Sequence, residues 1–348
     1  MIHSNRTLFA LALIATATLP ARSAGAQTGG QAGTLVVTNM GDNTATVIDL
    51  KSGKVRATLP TGVGPHEVAA SSDGRWAVVT NYGVRGKPGS TLTVIDLRSA
   101  TVSRTIDLGA YQRPHGIAFY PGDSMLVVTS EANKVVLLVK FGSGQVVATV
   151  PTERPVSHML ALAKAGDRLF TTNISDGSIT GINPRTRQTM AVIPVARQVE
   201  GIAVTPDGKR VWVGSNGDSI VVVIDADKGQ PVDTLTGFGM PYRLAITSTG
   251  KVAVISDPIK AQVRVIDADT RKLIHLVQIP AEQVLATAEF AGSPCPEGIT
   301  VSHDGKWAYV TLQGRNQVAA IDLTSGAIAG YTPVGASPDG IAFAPPSR

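Results

Sequence analysis

The strongest constraint on this chain is an internal repeat that starts at Thr34 and runs almost to the C-terminus. Each copy contains a Val-Ile-Asp-like run, and the residues that end these runs are 47, 44, 43, 42, 42 and 55 positions apart. In chain order they are Asp49, Asp96, Lys140, Asn183, Asp225, Asp267 and Asp322. Periods of about 40 to 50 residues made of short β-runs are typical of the blades of a β-propeller.

Each copy divides into four short β-runs joined by tight turns, among them SSDGR, TPDGK and SHDGK. The Asp-Gly pairs favour hairpins, because glycine accepts the positive φ that such turns require. Seven second strands can be counted: LVVTN, AVVTN, LVVTS, LFTTN, VWVGS, VAVIS and AYVTL. We therefore predict an all-β fold, a seven-bladed β-propeller of four-stranded antiparallel blades.

The repeat begins on a second strand, TLVVTN, and ends on a first strand, DGIAFAP. We expect these N- and C-terminal strands to pair in one blade, since that pairing closes the ring and removes an exposed sheet edge. No linker interrupts the copies, and 43% of the 348 residues are apolar, which is enough for a large core. The sequence predicts a single propeller domain over residues 34–348, after a short lead at residues 27–33.

The first 26 residues have the pattern of a secretory signal peptide. A basic start with Arg6 precedes an apolar run from Leu8 to Leu19, and small residues from Ser23 to Ala26 follow. The apolar run is too short to cross a bilayer, and no other run in the sequence is long enough, so we expect no transmembrane segment. Neither a lipoprotein cysteine nor a twin-arginine pair is present. We therefore expect a Sec-exported protein, either periplasmic or secreted.

Charge and cysteine content argue against several classes of function. Removing residues 1–26 removes two arginines and no acidic residue, so 29 basic and 26 acidic residues leave a mild net charge of +3. The basic residues are scattered, whereas nucleic-acid binding calls for a clustered patch. Cys295 is the one cysteine, which excludes an intrachain disulfide and the C-x-x-C-H site of covalent haem c. We expect a monomer that does not bind nucleic acid.

The copies resemble a known family of repeats. The motifs are VVTNMGDNTATVIDL, VVTNYG followed by STLTVIDL, EGIAVTPDGKRVWV and SPDGIAFAP. They are similar to the YVTN-repeat β-propeller family, which includes the YncE-like bacterial periplasmic proteins, over residues 34–345. The resemblance implies a propeller of the WD40/YVTN-like type. It leaves the function open, because these motifs describe strands and turns rather than a reacting group.

One column of the alignment, the residue at the start of each inner strand, carries most of the chemically versatile side chains. It holds three of the five histidines that follow the predicted signal peptide. Inner strands converge on the propeller axis, so we expect the column to lie around one mouth of the central channel. The column residues are His66, His115, His158, Glu200, Tyr242, Glu297 and Asp339.

Two interpretations of this column remain open. His66, His115 and His158 could bind a divalent transition metal, because three neutral imidazoles with an open position suit a catalytic site. Glu200 and Glu297 would then be candidates for acid–base catalysis, and Asp339 could add an oxygen ligand or orient a histidine. Alternatively, the column is a polar, water-filled rim without a bound metal.

Arg243 and Glu67 follow the column by one position. They are expected either to form an ion pair or to contact a ligand, and the sixth copy leaves open whether Tyr242 or Arg243 belongs to the column itself.

Two segments lengthen the repeat on the face that carries the column. One is GVRGKPGS, Gly83 to Ser90, and the other is Ala281 to Pro296. Connections of this length are commonly functional. We expect the second segment to form either a short helix and a lid, carrying Glu282, Glu289 and Cys295, or an irregular rim loop.

These observations leave two functions. The first is an exported propeller that binds a small molecule, a peptide or a protein partner at the channel mouth. The second is a metal-dependent enzyme, a lyase, hydrolase or oxidoreductase, with a histidine-centred site there. The sequence contains neither a glycine-rich phosphate cradle nor a G-x-S-x-G nucleophile motif.

Overall fold

The computed structural model describes residues 32–347. The predicted signal peptide, residues 1–26, lies outside this range. Within it, no helix is long and apolar enough to cross a membrane.

Seven four-stranded antiparallel sheets form the blades, so the predicted seven-bladed, all-β architecture is confirmed. We number the blades 1 to 7 and give the strands from the axis outward. Blade 1 contains β28 (Pro338–Ala344), β1 (Thr34–Asn39), β2 (Thr44–Asp49) and β3 (Lys54–Pro60). Blade 2 contains β4 (Pro65–Ala70), β5 (Trp76–Val84), β6 (Lys87–Asp96) and β7 (Thr101–Asp107). Blade 3 contains β8 (Pro114–Phe119), β9 (Met125–Ser130), β10 (Val135–Lys140) and β11 (Val146–Pro151).

The remaining four blades follow in chain order. Blade 4 contains β12 (Ser157–Leu162), β13 (Leu169–Asn173), β14 (Ser178–Asn183) and β15 (Gln188–Pro194). Blade 5 contains β16 (Val199–Val204), β17 (Arg210–Ser215), β18 (Ile220–Asp225) and β19 (Gln230–Leu235). Blade 6 contains β20 (Leu244–Ile246), β21 (Val252–Asp257), β22 (Gln262–Asp267) and β23 (Leu273–Gln278). Blade 7 contains β24 (Pro296–Val301), β25 (Trp307–Leu312), β26 (Gln317–Asp322) and β27 (Ile328–Pro333).

The ring closes through the terminal strands, as predicted. Strand β28 pairs with β1 in antiparallel register, with Thr34 opposite Ala344 and Val36 opposite Ala342. Each inner strand contacts the next one around the ring, including β24 with β28 and β28 with β4. The pairing of β28 with β1 completes blade 1 and closes the ring, and the seven inner strands surround one axis.

The core lies between blades. The second and third strands of each blade are buried on both faces, because each sheet packs against a neighbour on either side. Between blades 1 and 2, for example, Val36 and Val47 pack in one cluster with Val79 and Ile95. The outer strands are largely exposed, as in β3 and β19. Apolar side chains thus hold the blades together and leave the axial ends free for polar residues.

The aligned residues that define the repeat end the third strand of every blade, in agreement with the sequence analysis. Except at Lys140, their side chains accept hydrogen bonds from the backbone of the turn that follows. Asp49 Oδ1 accepts from the Ser52 N–H at 2.7 Å, and Asp322 Oδ1 accepts from the Thr324 N–H at 2.7 Å. The repeated Asp and Asn residues in the sequence therefore mark the turns after the third strands, since Asp and Asn stabilise such turns.

The two lengthened segments differ in structure. Gly83 to Ser90 extends the β5–β6 hairpin, with Val84 paired to Lys87. Residues 281–295 form turns, so of the two alternatives the irregular loop is formed and the short helix is wrong; the one helix of residues 32–347 is a 3-10 turn, Gln313–Arg315. So short a segment gains little from a helix of its own. Its backbone bonds to blade 7 instead, where Leu285 N donates to Gly314 O at 2.8 Å.

Candidate functional site

A β-bulge turns the column residues toward the channel. In blade 2, Pro65 pairs with Asn81 and Val68 with Val79, so three steps on β4 match two on β5. Bulges break the alternation of a strand and re-aim a side chain. The same shift occurs in six inner strands, where the column residues inside the bulge are His66, His115, His158, Glu200, Glu297 and Asp339.

The threonine of the VTN-like motif fixes each bulge to the next blade. Thr129 Oγ1 donates to the His158 carbonyl at 2.7 Å, and Thr311 Oγ1 donates to the Asp339 carbonyl at 2.9 Å. Each of these bonds joins the second strand of one blade to the column residue of the next. The threonine therefore has a structural role in holding the column in place.

A glycine after the column residue lets neighbouring inner strands approach closely. A β-carbon on Gly298 would lie 2.0 Å from the Asp339 carbonyl oxygen, and one on Gly201 would lie 2.4 Å from the Tyr242 carbonyl oxygen. No side chain fits at such distances. The glycine in PEGIT and VEGIA thus brings adjacent column residues together around the axis.

We call the column residues, together with Glu67, Tyr82, Glu131 and Arg243, the axial site. The register of blade 6 settles the ambiguity in the sixth copy. Arg243 N donates to Ser256 Oγ at 3.1 Å, as Glu67 N donates to Thr80 Oγ1 at 3.0 Å. Arg243 therefore occupies the position after the column, and Tyr242 belongs to the column.

Arg243 connects opposite sides of the ring. Its Nη1 donates to Glu200 Oε1 at 2.8 Å, and its Nε donates to Glu67 Oε1 at 3.1 Å. The side chain of Arg243 is buried. Burial opposes the charged guanidinium, but the acidic groups of Tyr242, Glu67 and Glu200 outweigh it and hold the pKa of Arg243 well above its ordinary value. Of the two roles considered for Glu67 and Arg243, the ion pair is the one that they form in this structure.

His158 lies between two carboxylates. Its Nε2 is 2.8 Å from Glu200 Oε1, and its Nδ1 contacts Glu131 Oε1. Burial lowers the pKa of His158, but Glu200 and Glu131 outweigh burial and raise it to about 10. Burial likewise opposes the charged form of Glu200, and His158 and Arg243 bring its pKa down to about 2. His158 is thus an imidazolium that donates from both nitrogens.

The other two histidines are in different states. His115 is 1% exposed, its ring centroid lies 3.5 Å from that of His158, and neither nitrogen has a hydrogen-bond partner in the protein. Burial, together with His158 and His66, lowers the pKa of His115 well below its ordinary value. His66 is partly exposed, with Nδ1 2.9 Å from Asp339 Oδ2. The three predicted ligands therefore come together, and His115 is the one whose two ring nitrogens have no hydrogen-bond partner in the protein.

Among residues 32–347, one group of three potential ligands is close enough for a metal ion. It consists of His115, Glu131 and His158, whose donor atoms lie within 4.8 Å of one another. His66 is not part of it. A metal ion binds to an unprotonated imidazole nitrogen, whereas both nitrogens of His158 contact carboxylates. Metal binding would therefore require His158 to lose a proton and to release one carboxylate.

Glu297 and Asp339 lie side by side on neighbouring inner strands. Both are 1% exposed. Neither Glu297 Oε2 nor the two carboxylate oxygens of Asp339 accept a hydrogen bond from the protein, although Asp339 Oδ2 lies within ion-pair distance of His66 Nδ1, at 2.9 Å. Burial, then the charges of Asp339 and Glu289, raise the pKa of Glu297 well above its ordinary value.

Sequence reasoning missed Tyr82 and Glu131. Both follow the VTN-like motif by one position, Tyr82 near the end of β5 and Glu131 just after β9, and Tyr82 Oη donates to Glu131 Oε2 at 2.6 Å. Burial and this hydrogen bond raise the pKa of Tyr82 to about 12. The ring of Tyr82 lies 4.7 Å from that of His66. The sequence signal that could have identified both residues is a second column, which lies one position after the VTN-like motif and on the same face as the first column.

The segment Ala281 to Pro296 lies beside the site. Glu289 N donates to Gln313 Oε1 at 3.1 Å, while the Glu289 side chain is exposed. Partial burial, Asp339 and Glu200 raise the pKa of Glu289. The segment ends next to Glu297, so Glu289 lies on the face of the propeller that carries the column. Glu282 is exposed.

Cys295 does not lie on an outer lid surface. It is buried, and its sulfur accepts from Phe290 N at 3.4 Å. Burial raises the pKa of the Cys295 thiol. A buried thiol of this kind is unreactive.

Comparison with known proteins identifies the family. The model of the choice-of-anchor I domain matches residues 160–339, which is more than half of the chain. The chain belongs to the choice-of-anchor I domain family. The narrower YVTN-repeat assignment stays a prediction.

Two similar proteins support the fold of this choice-of-anchor I propeller. The seven-bladed β-propeller protein Rv1057 of Mycobacterium tuberculosis is 27% identical over 146 residues, which is 40% of this chain and 34% of that protein. The match thus spans about a third of the relative's length. A chain of hydrazine synthase from Kuenenia stuttgartiensis superposes with a TM-score of 0.69 at 19% identity, over 83% of this chain and 92% of that one. At this identity the likeness shows the fold alone.

Proposed function

We propose that this protein is an exported propeller that binds a small polar molecule at the axial site. The observation that carries the proposal is a set of buried polar atoms without a protein partner: both nitrogens of His115, Glu297 Oε2 and both carboxylate oxygens of Asp339. Each unsatisfied buried group costs about 1–3 kcal/mol. A ligand with its own donors and acceptors would offset this cost.

Two features support a small molecule over a large partner. The unpartnered side chains are 1% exposed, so the flat surface of a folded protein cannot reach them. Their positions are fixed by bulges and by bonds such as Thr311 Oγ1 to the Asp339 carbonyl. A site that is already ordered loses little conformational entropy on binding, which favours affinity for small ligands.

A binding screen tests this proposal. The purified full chain is titrated by thermal shift with four sets of small molecules: amines, carboxylates, amino acids and sugars. At least one set should raise the melting temperature of the wild type and have a much weaker effect on His115→Asn. His303→Asn is the matched control, because His303 is exposed in a hairpin turn. The proposal fails if no set stabilises the wild type.

Export is supported by the signal-peptide pattern of residues 1–26. Fractionation of a Gram-negative host that expresses the full chain tests it. The protein should appear in the periplasmic fraction with an N-terminus near Gln27. A cytoplasmic product that retains Met1 would contradict export.

A second candidate is a metal-dependent enzyme, favoured by the close approach of His115, Glu131 and His158. These residues would hold a divalent transition metal, and Glu200 or Glu297 would serve in acid–base catalysis. Metal analysis of the full chain after incubation with zinc, copper or manganese tests it. One equivalent should be retained by the wild type and lost in Glu131→Gln. If the wild type retains no more metal than His115→Asn does, this candidate is excluded.

A further inference from the structure

We infer that the ligand of the axial site is a small organic cation, whose ammonium group binds between Glu297 and Asp339. The inference rests on the proposed function and names the chemical class of its ligand. It follows from which charges of the site are already paired within the protein.

Three carboxylates of the axial site have donors from the protein. Glu67 and Glu200 accept hydrogen bonds from Arg243, and Glu131 accepts one from Tyr82. These bonds use the Arg243 cation, and His158 is held between Glu131 and Glu200. The positive charges of Arg243 and His158 are therefore paired with carboxylates of blades 2 to 6.

Glu297 and Asp339 lie on the other side, on β24 and β28. Gly298 allows these strands to approach, since its α-hydrogen faces the Asp339 carbonyl where no β-carbon fits. The two acidic side chains are thus close and buried; Glu297 Oε2 and Asp339 Oδ1 have no partner, and Asp339 Oδ2 faces the partly exposed His66. A cation between them would replace the repulsion of like charges by two charge-assisted hydrogen bonds.

The geometry favours an ammonium group over a metal ion. The three-donor group within coordinating distance in residues 32–347 contains neither Glu297 nor Asp339. A metal needs several ligand atoms at about 2.0–2.6 Å, whereas an ammonium group donates three hydrogen bonds of about 2.8 Å. Two carboxyls and one further acceptor are therefore sufficient for an ammonium group.

Glu289 adds a negative charge on the face that carries the column. Its carboxyl is exposed, and partial burial and the charge of Asp339 raise its pKa. An acidic group at the entrance of a site that is itself acidic attracts cations and speeds their association. We expect Glu289 to contribute less than the buried pair, because it is exposed to solvent.

Matched probes of equal length test the inference. Isothermal titration calorimetry of the full chain compares n-butylamine, putrescine, n-butanol and butyrate at neutral pH. The two amines should bind, and butanol and butyrate should bind at least tenfold more weakly. Glu297→Gln and Asp339→Asn should each lower amine affinity at least tenfold. Glu289→Gln should lower it about threefold and reduce its dependence on salt.

Controls separate the two levels of the proposal. Glu282→Gln, an exposed change in the same segment, should leave amine binding unchanged, and circular dichroism checks that each variant is folded. Equal or tighter binding of butanol or butyrate, unaffected by Glu297→Gln, would overturn the cation inference and leave the proposed function standing. Calcium that competes fully with putrescine would also overturn it. Absence of binding by every probe and by the wider screen would overturn both.

Discussion

The two sides of the propeller axis differ in how their charges are satisfied. On one side, Arg243, Glu200 and His158 form a continuous set of ion pairs. On the other, Glu297 and Asp339 are more deeply buried, yet Glu297 Oε2 and both oxygens of Asp339 accept no hydrogen bond from the protein, and Asp339 faces the partly exposed His66. The same column of the same repeat thus gives a closed network in one half and unpartnered acids in the other. The contrast suggests that the first half stabilises the ring and that the second is free to bind a ligand.

The largest effect should come from Arg243→Met. The substitution leaves Glu67 and Glu200 buried without their cation, which should lower the free energy of unfolding by about 3–5 kcal/mol. Urea unfolding followed by far-UV circular dichroism measures it. Arg243→Lys keeps the charge but loses the two-sided contact, so an intermediate loss is expected. A loss below about 1 kcal/mol in Arg243→Met would contradict a stabilising role for the network.

Gly298→Ala should have the next largest effect. Its β-carbon would lie 2.0 Å from the Asp339 carbonyl oxygen, so β24 and β28 must move apart. We expect a loss of about 1–3 kcal/mol and a lower melting temperature. Gly142→Ala is the matched control, because a β-carbon there meets no atom within 4 Å. Equal melting temperatures for the two variants would show that the close approach is not required.

His158→Gln should give a smaller effect that depends on pH. The pKa of His158 is raised from 6.5 to about 10 by its carboxylate partners. Its contribution to stability is therefore fully present below pH 6.5 and is lost as pH rises toward about 10. The difference in unfolding free energy between wild type and variant should shrink over this window, by on the order of 1 kcal/mol. Unfolding curves at several pH values in the presence of a chelator measure it, and a constant difference would contradict the assignment.

Glu297→Gln should have the smallest effect on stability. The amide has the shape of the acid and replaces a carboxyl whose ionisation is opposed by burial and by Asp339, so the free energy of unfolding should stay the same or rise by up to about 1 kcal/mol. The same unfolding assay without ligand measures it. A loss comparable with that of Arg243→Met would show that the two sides of the axis do not differ.

Much of the fold could be predicted because its signals are local. Asp49 and Asp322 end their strands where the sequence repeat placed them, since each carboxylate bonds to the turn a few residues later. The convergence of His66, His115 and His158 was also predicted, because the inner strands of a ring face one axis. The helix considered as one alternative for Ala281 to Pro296 does not form, because the backbone of this segment bonds to residues of blade 7 that are distant in sequence.

The sequence by itself determined the seven blades, their closure by the terminal strands and the position of the column residues at the start of the inner strands. All three follow from patterns repeated every few dozen residues. Only the tertiary structure decided which charges are paired. Glu67 and Arg243 are 176 residues apart and form an ion pair across the axis. Glu297 lies beside Asp339, and its Oε2 accepts no hydrogen bond from the protein. The physical reason is that a repeat specifies each blade alike, whereas electrostatic pairing depends on side chains that only the closed ring brings together.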